Sequence, residues 1–187
     1  MKYLELEKVV LLDTDGQAIG EADKLKAHEN GGLLHLAFCI VVFNQAGELL
    51  LQRRAAVKYH FARLWSNTCC GHPRPGEEVI AAAERRLEEE LGFSTPLQIM
   101  EKFTYKAQDE KSGLTEHEMA YILRGRFDGD PQLNPQEADE WRWVPVNQVR
   151  NEIQARPDTF TPWFSLFLSR NPIEQWAIDS LLEPPAT

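Results

Sequence analysis

Three histidines and a closely spaced pair of glutamates are the residues of this chain best suited to hold a metal ion. Glu116 and Glu118 are two positions apart, so both side chains lie on the same face of a strand. With the imidazoles of His28, His35 and His72 they offer five nitrogen and oxygen donors, a set that suits Mn²⁺, Zn²⁺ or Mg²⁺. The alternative for any single histidine is an ordinary surface or core residue. A metal site is therefore predicted where all five converge.

Charge and cysteine content restrict the partners and the compartment. A formal net charge of −9 argues against a nucleic-acid or anionic-membrane partner, because such partners require a basic stripe. An anionic substrate must therefore meet a local basic pocket. The three cysteines include the adjacent Cys69 and Cys70, which argues against a disulfide framework. Since no signal-peptide run or apolar run of membrane-spanning length is found, the sequence predicts a cytoplasmic protein.

Residues 78–91 predict a helix that carries charges of both signs. They lack Gly and Pro, are rich in Ala, Glu, Arg and Leu, and are followed by Gly92, a typical C-cap residue. Arg86 and Glu90 are four positions apart, so opposite charges can point into one site. The predicted apolar face of this helix comprises Ile80, Ala83, Leu87 and Leu91.

Strands and a few further helices complete a predicted α/β fold. Hairpins are predicted at residues 8–16, with a turn at 13–16, and at 34–52, with a turn at 45–47. Further strands are predicted at 99–107, 117–123 and 141–144, a loop at 126–140, and helices at 146–155 and from Pro162, which Thr161 can cap. This pattern predicts one domain over residues 1–187, with 181–187 as a disordered tail.

A segment that includes the predicted helix resembles the Nudix box, a loop–helix–loop motif that binds divalent metal ions through helix carboxylates. Gly71 is followed after five residues by Glu77, and after seven more by the run 85–93, RRLEEELGF. The resemblance implies an α/β sandwich of mixed β-sheets flanked by α-helices. Arg86 departs from the pattern, because the hydrolases carry a metal-binding Glu there, which puts diphosphate hydrolysis in doubt. The alternative is a solvated, Glu-rich helix face.

Several other segments resemble the type 1 isopentenyl diphosphate isomerases. Residues 67–73, NTCCGHP, resemble the N-x-x-C-G-H-P segment of that family, and residues 115–118, TEHE, resemble its paired-glutamate strand. Matches in the same order continue at Lys24, His28, 35–38, 52–54, Lys58, Trp65, Tyr105 and 161–163. The resemblance covers about residues 8–163. It implies the interconversion of isopentenyl and dimethylallyl diphosphate through a tertiary carbocation, in isoprenoid biosynthesis.

The resemblance also implies roles for residues at the reacting carbons. Cys70 and Glu118 would be a proton-transfer pair on opposite sides of the substrate, and Tyr105 would assist Glu118. Which of the two protonates stays open, although the family favours Glu118 with Tyr105 for protonation and Cys70 for abstraction. Trp163 would present its indole face to the carbocation. The alternative for Trp163 is ordinary core packing.

A second set of implied residues binds the diphosphate. In the family, Mg²⁺ bridges the diphosphate to a Glu that aligns with Glu90 and to the backbone carbonyl at the position of Cys70. The implied diphosphate contacts are Lys24, Arg54, Lys58 and Arg86. For Lys24 and Lys58 the alternative is a solvent-exposed cation. The resemblance assigns no role to His60 or to His117, and His117 points to the strand face opposite the two glutamates.

Two other functions compete with the isomerase. A Nudix hydrolase would fit the box but not Arg86, and it would leave Cys70 and Glu118 unexplained. A catalytically silent module that only binds a ligand would need neither an acid nor a base. The sequence leaves the oligomeric state and the identity of the metal ion open.

Overall fold

The computed structural model describes residues 7–182, and its strands form one connected, mixed sheet. The nine strands described are β1 (Lys8–Leu12), β2 (Ala18–Asp23), β3 (His35–Phe43), β4 (Glu48–Arg54), β5 (Trp65–Ser66), β6 (Cys69–Gly71), β7 (Gln98–Gln108), β8 (Thr115–Arg126) and β9 (Ala138–Pro145). The helices described are α1 (Lys24–His28), α2 (Val79–Leu91), α3 (Val146–Ala155), α4 (Pro162–Arg170) and α5 (Ile173–Leu182), with a 3₁₀ turn at Pro157–Thr159.

Strand β3 lies at the centre of the sheet and is buried on both faces. It runs parallel to β8 over its whole length, with His35 opposite Glu118 and Phe43 opposite Arg126. Its antiparallel partner β6 places Cys39 opposite Cys70. This register brings a predicted histidine ligand, a predicted glutamate ligand and the predicted catalytic cysteine onto neighbouring strands.

Side chains alternate along β3 between two hydrophobic cores, as the two-residue period of a strand requires. Odd-numbered positions such as Val41 face a core that includes residues of α3, α4 and α5. Even-numbered positions such as Ile40 face a core that includes Leu87 and Leu91 of α2. Helices therefore cover both faces of the sheet, and the predicted α/β sandwich is confirmed.

Helix α2 lies where it was predicted, but one residue of its predicted apolar face is not buried. It ends at Gly92, whose φ of 70° is the left-handed C-cap conformation. Ala83, Leu87 and Leu91 are fully buried, whereas Ile80 is 38% exposed, so its placement in the core face is wrong. Glu90 is buried instead, where Gln52 and Arg86 bond its side-chain oxygens.

The remaining elements agree with the predictions in outline and differ at their ends. The first hairpin and α3 are found as predicted, but β3 and β4 pair only at Phe43 and Leu49 and then diverge to other partners. Helix α4 begins at Pro162, yet the side chain of Thr161 does not cap it, because that hydroxyl lies 3.0 Å from the Ser66 hydroxyl. Of the predicted tail, residues 183–187 lie outside the described residues.

None of the helices within residues 7–182 has both the length and the apolar character that a membrane crossing requires.

Candidate active site and metal centre

The five predicted metal ligands converge on one point. His28 is the last residue of α1, His35 the first of β3, His72 follows β6, and Glu116 and Glu118 lie on β8. One donor atom from each lies within 4.8 Å of the donor atoms of the other four. Four of these residues are buried and His72 is half-buried. The fold thus assembles three imidazoles and two carboxylates from four separate segments.

The hydrogen bonds of the histidine rings direct lone pairs toward this point. His28 Nδ1 lies 2.6 Å from the Lys24 carbonyl oxygen and His35 Nδ1 lies 2.8 Å from the Leu33 carbonyl oxygen, and both carbonyls accept. In a neutral ring the Nε2 atom is then an acceptor. The Nε2 atom of His28 lies 2.8 Å from a Glu116 oxygen. The Nε2 atom of His35 lies 3.1 Å from the Nε2 atom of His72.

The contact between a neutral His28 ring and the Glu116 carboxylate joins two acceptors, which is unfavourable unless a proton or a cation lies between them. A divalent cation at this point would satisfy the lone pairs of both groups. The donor types, and the outward hydrogen bonds of His28 and His35, match those of histidine metal sites, where the second ring nitrogen is held by a carbonyl. The residues present therefore fit a divalent metal ion.

The two glutamates have opposite shifts in pKa. Burial raises the pKa of Glu116, but the charge of His60 and the contacts with His28 and His60 outweigh it and hold this pKa well below its usual range. Burial and then the negative charge of Glu116 raise the pKa of Glu118. Burial and the neighbouring His35 lower the pKa of His72, which favours the neutral, metal-binding form. Glu118 is thus the carboxylate that holds a proton more readily.

His60 and His117, to which the sequence assigned no role, occupy different environments. His60 Nε2 forms a short hydrogen bond with Glu116 Oε1, and the residue is 5% exposed. His117 lies on the opposite face of β8, where its Nδ1 is 3.2 Å from the Gly32 carbonyl oxygen. No local spacing links His60 to Glu116, because 56 positions separate them.

Glu118 also contacts a predicted catalytic tyrosine. The Tyr105 hydroxyl donates to Glu118 Oε2 at 2.7 Å, and Glu118 Oε1 lies 2.7 Å from His72 Nε2. Burial and the charge of Glu118 raise the pKa of Tyr105 well above its usual range, so the phenol keeps its proton. The register of β7 and β8, which places Tyr105 opposite Glu118, creates this pair.

The Cys70 thiol lies among polar and sulfur neighbours beside the metal ligands. Its Sγ is 3.2 Å from Asn67 Nδ2 and 3.5 Å from the Sγ of Cys39. The contact with Cys70 and then burial raise the pKa of the Cys39 thiol well above its usual range. Gly71 allows β6 to lie close to β3, because a Cβ there would be 2.9 Å from the Phe38 ring.

A cavity that is open to solvent joins these groups to a cluster of cations. Cys70, Glu118, Tyr105 and Trp163 line it, together with the predicted diphosphate contacts Lys24, Arg54, Lys58 and Arg86. This is the local basic pocket that an anionic substrate requires in an acidic protein.

Acidic side chains hold two cations of the pocket, Arg86 and Lys58, in place. Arg86 donates hydrogen bonds to Glu90 and, at 2.9 Å, to Glu137, which also accepts from Lys58 at 2.6 Å. Burial raises the pKa of Glu137, but Lys58 and Arg86 outweigh it and lower the value to about 2. Glu137 was not predicted from the sequence, because it lies on a loop 51 positions from Arg86.

Gln52 holds Glu90 from the other side. Its Nε2 donates to Glu90 Oε2 at 3.0 Å and to the Thr68 carbonyl oxygen at 2.8 Å. Glu90 is 5% exposed, and these two partners, Gln52 and Arg86, account for its burial as a carboxylate.

Trp163 both packs in the core and lines the cavity. It is 2% exposed, and its Nε1 donates to the Ser66 hydroxyl at 3.2 Å. The edge of Phe61 meets its ring at a centroid distance of 5.2 Å, and the Arg54 guanidinium carbon lies 5.4 Å from the ring centroid. The ring therefore already contacts one cation of the pocket.

Comparisons with known proteins agree with this geometry. The NUDIX domain family model matches residues 33–164. The chain is 51% identical over 173 residues to an isopentenyl-diphosphate Delta-isomerase of Halorhodospira halophila, covering 92% of this chain and 99% of that protein. It is 48% identical to the enzyme of the same name from Serratia proteamaculans, over 91% of this chain and 96% of that protein.

Solved structures share the fold. A protein of Deinococcus radiodurans, DR0079, has a TM-score of 0.71 at 17% identity, covering 88% of this chain and 98% of that chain. A MutT protein of Methanosarcina mazei has a TM-score of 0.63 at 20% identity, over 76% and 94% of the two chains. These likenesses show the fold alone. The family model and the sequence relatives show that this chain belongs to the isopentenyl-diphosphate Delta-isomerases of the Nudix family.

Proposed function

We propose that this chain interconverts isopentenyl diphosphate and dimethylallyl diphosphate by protonation and deprotonation through a tertiary carbocation. One observation carries the proposal: a thiol, Cys70, and a carboxyl group, Glu118, line the same cavity as four cations. The cations suit a diphosphate, and the thiol and carboxylate suit an acid and a base at its hydrocarbon end.

The cationic side of the cavity binds the diphosphate. Lys24, Arg54, Lys58 and Arg86 provide ammonium and guanidinium groups, and guanidinium groups bind phosphate oxygens in pairs. Glu90 and the backbone carbonyl of Cys70 would hold a Mg²⁺ ion that accompanies the diphosphate, since Mg²⁺ prefers oxygen ligands.

The histidine and glutamate cluster holds a second divalent ion, Mn²⁺, Zn²⁺ or Mg²⁺, through His28, His35, His72, Glu116 and Glu118. When bound, this ion supplies positive charge that tunes the proton affinity of the Glu118 carboxyl group. Tyr105 holds the other oxygen of Glu118 and orients the carboxyl group toward the cavity.

The reaction requires two proton transfers and a stabilised cation. One proton adds to the terminal carbon of the alkene, which leaves positive charge on the tertiary carbon. A second proton then leaves the carbon on the diphosphate side, and its electron pair forms the new double bond. Glu118 and Cys70 perform these transfers, and the Trp163 face stabilises the cation away from water by about 2 kcal/mol.

Arg86 makes hydrolysis of the diphosphate the weaker candidate. A Nudix hydrolase needs several carboxylates free to bind metal at the helix of the box. Here the Arg86 guanidinium lies among Glu89, Glu90 and Glu137 and bonds to each of them. Arg86 replaces one metal-binding carboxylate of the hydrolase pattern, and it would bind an intact diphosphate beside the Mg²⁺ ion held at Glu90.

An activity assay with two readouts tests the proposal. The protein is incubated with isopentenyl diphosphate and Mg²⁺, and the acid-labile allylic product and free phosphate are both quantified. We expect the allylic diphosphate without phosphate release. Phosphate release without the allylic product would favour a hydrolase over an isomerase. If neither product forms, both activities are refuted.

A further inference from the structure

The two oxygens of the Glu116 carboxylate contact two different histidines. Its Oε2 atom lies 2.8 Å from His28 Nε2, at the point where the metal ligands converge. Its Oε1 atom accepts a short hydrogen bond from His60, which follows β4 in the chain. One oxygen therefore contacts the metal ligand His28, and the other contacts His60.

The contact with His60 fixes the orientation of the carboxylate. An ionised carboxylate only accepts hydrogen bonds, so His60 Nε2 must carry the hydrogen. Without this bond the carboxylate can rotate about its terminal torsion, which has a broad energy minimum. With Oε1 held by His60, Oε2 keeps its direction toward His28.

Packing holds the imidazole of His60 in turn. Its ring stacks on Tyr59 at a centroid distance of 4.3 Å, with 28° between the planes. The edge of Phe61 approaches at 5.4 Å, and the residue is 5% exposed. A buried ring with aromatic neighbours on two sides is a rigid donor, as an outer partner of a metal ligand should be.

His60 is not itself part of the cluster of donor atoms. Within residues 7–182, the atoms that lie within 4.8 Å of one another come from His28, His35, His72, Glu116 and Glu118. The Nε2 atom of His60 binds Glu116. His60 is therefore a partner of a metal ligand and not a ligand itself.

We propose that His60 is a positioning residue of the metal site, which orients Glu116 for the divalent ion through the Nε2 hydrogen bond. This deepens the proposed function, because it rests on the same metal site. Loss of such an outer partner typically weakens metal affinity about 10- to 100-fold. The hydrogen bond, and not the aromatic ring, carries the effect.

Two variants of His60 separate the hydrogen bond from the ring. His60→Phe keeps an aromatic ring between its neighbours but has no N–H donor, whereas His60→Gln loses the ring and keeps a side-chain N–H. His117→Phe is the matched control. His117 lies on β8 between the two glutamates, but its side chain contacts Gly32 and is not part of the donor cluster. Thermal unfolding of each variant confirms that it folds.

Affinity for Mn²⁺ and Zn²⁺ is measured without substrate, by competition with a chromophoric chelator. We expect His60→Phe to weaken binding about 10- to 100-fold, His60→Gln to restore it to within about fivefold, and His117→Phe to match the wild type. Equal affinity of His60→Phe and wild type would overturn the inference. Equal loss in His60→Phe and His60→Gln would also overturn it, because the ring would then matter and not the donor.

Isomerase assays of the same preparations separate this inference from the proposed function. A wild type that binds metal but does not isomerise refutes the function and leaves the role of His60 standing. A wild type that isomerises, with an unchanged metal affinity in His60→Phe, refutes the role of His60 alone. A wild type that binds neither Mn²⁺ nor Zn²⁺ refutes the inference directly.

Discussion

Replacement of Arg86 by Gln tests whether the guanidinium binds the substrate diphosphate. The wild-type side chain is 14% exposed and bonds to Glu89, Glu90 and Glu137. Burial lowers the pKa of Arg86, but Glu90 and Glu137 outweigh it and raise the value, so the group is always charged. Removal of the guanidinium takes one cation from the cavity. It also leaves Glu89, Glu90 and Glu137 without the positive charge of Arg86.

The structure sets the expected size of two separate effects. A hydrogen bond to a charged group contributes about 1.5–3 kcal/mol, so the affinity for diphosphate should fall about 10- to 150-fold. The free energy of unfolding should fall by about 3 kcal/mol, the lower end of the cost of breaking a buried ion pair, since Glu89 is partly exposed to water.

The assay is the steady-state rate of isomerisation together with calorimetric titration of inorganic diphosphate and Mg²⁺. Arg85→Gln is the control, because Arg85 pairs with Glu77 and does not line the substrate cavity. We expect KM to rise and diphosphate binding to weaken only in the Arg86 variant. Unchanged KM and unchanged diphosphate affinity in a folded Arg86→Gln protein would refute the assignment of Arg86 as a diphosphate ligand.

Three further predictions follow from the same geometry. Cys70→Ala and Glu118→Gln should each lower kcat about 10²- to 10⁴-fold with the fold intact by circular dichroism, and a near-native kcat in either would remove that residue from the proton-transfer pair. Leu87→Ala should lower the free energy of unfolding, measured in urea, by about 2–5 kcal/mol, because Leu87 is fully buried. Ile80→Ala should lower it by less than about 1 kcal/mol, because Ile80 is partly exposed. A larger loss in the Ile80 variant would contradict the buried face described for α2. Because the pKa of Glu137 falls from 4.5 to about 2 on folding, its carboxylate stabilises the fold above about pH 4.5, and this contribution is lost as the pH falls toward 2. Glu137→Gln should therefore be less stable than wild type at neutral pH and lose less stability between pH 4.5 and 2; an identical acid unfolding curve would contradict this.

The sequence alone was enough to predict the residues whose placement depends on local periodicity. Glu116 and Glu118 share a face because β8 is a regular strand. Arg86 and Glu90 meet because α2 is a regular helix that ends at Gly92. Histidine ligands drawn from distant segments have no such period, so their choice depended on the family resemblance.

Contacts between distant segments could not be predicted in this way. His60 and Glu137 reach their partners across loops, and no spacing rule relates one loop to another. The short strands β5 and β6 have two and three residues, too few for an alternating pattern, and they form because β4 and β3 provide hydrogen-bond partners.

The burial of α2 illustrates a further limit of periodicity. A period of 3.6 residues predicts an apolar stripe but not how the helix is rotated on the sheet. Ile80 at one margin of the stripe is exposed, whereas Glu90 is buried because Gln52 and Arg86 satisfy its oxygens. Tertiary hydrogen bonds decided that orientation.

The most direct test of the central claim is proton NMR of isopentenyl diphosphate incubated with the protein and Mg²⁺ in D₂O. Proton addition to the terminal alkene carbon predicts dimethylallyl methyl signals, with deuterium in a methyl group and no free phosphate. Conversion without deuterium in the product, or phosphate release with the alkene signals otherwise unchanged, would contradict the proton-transfer account.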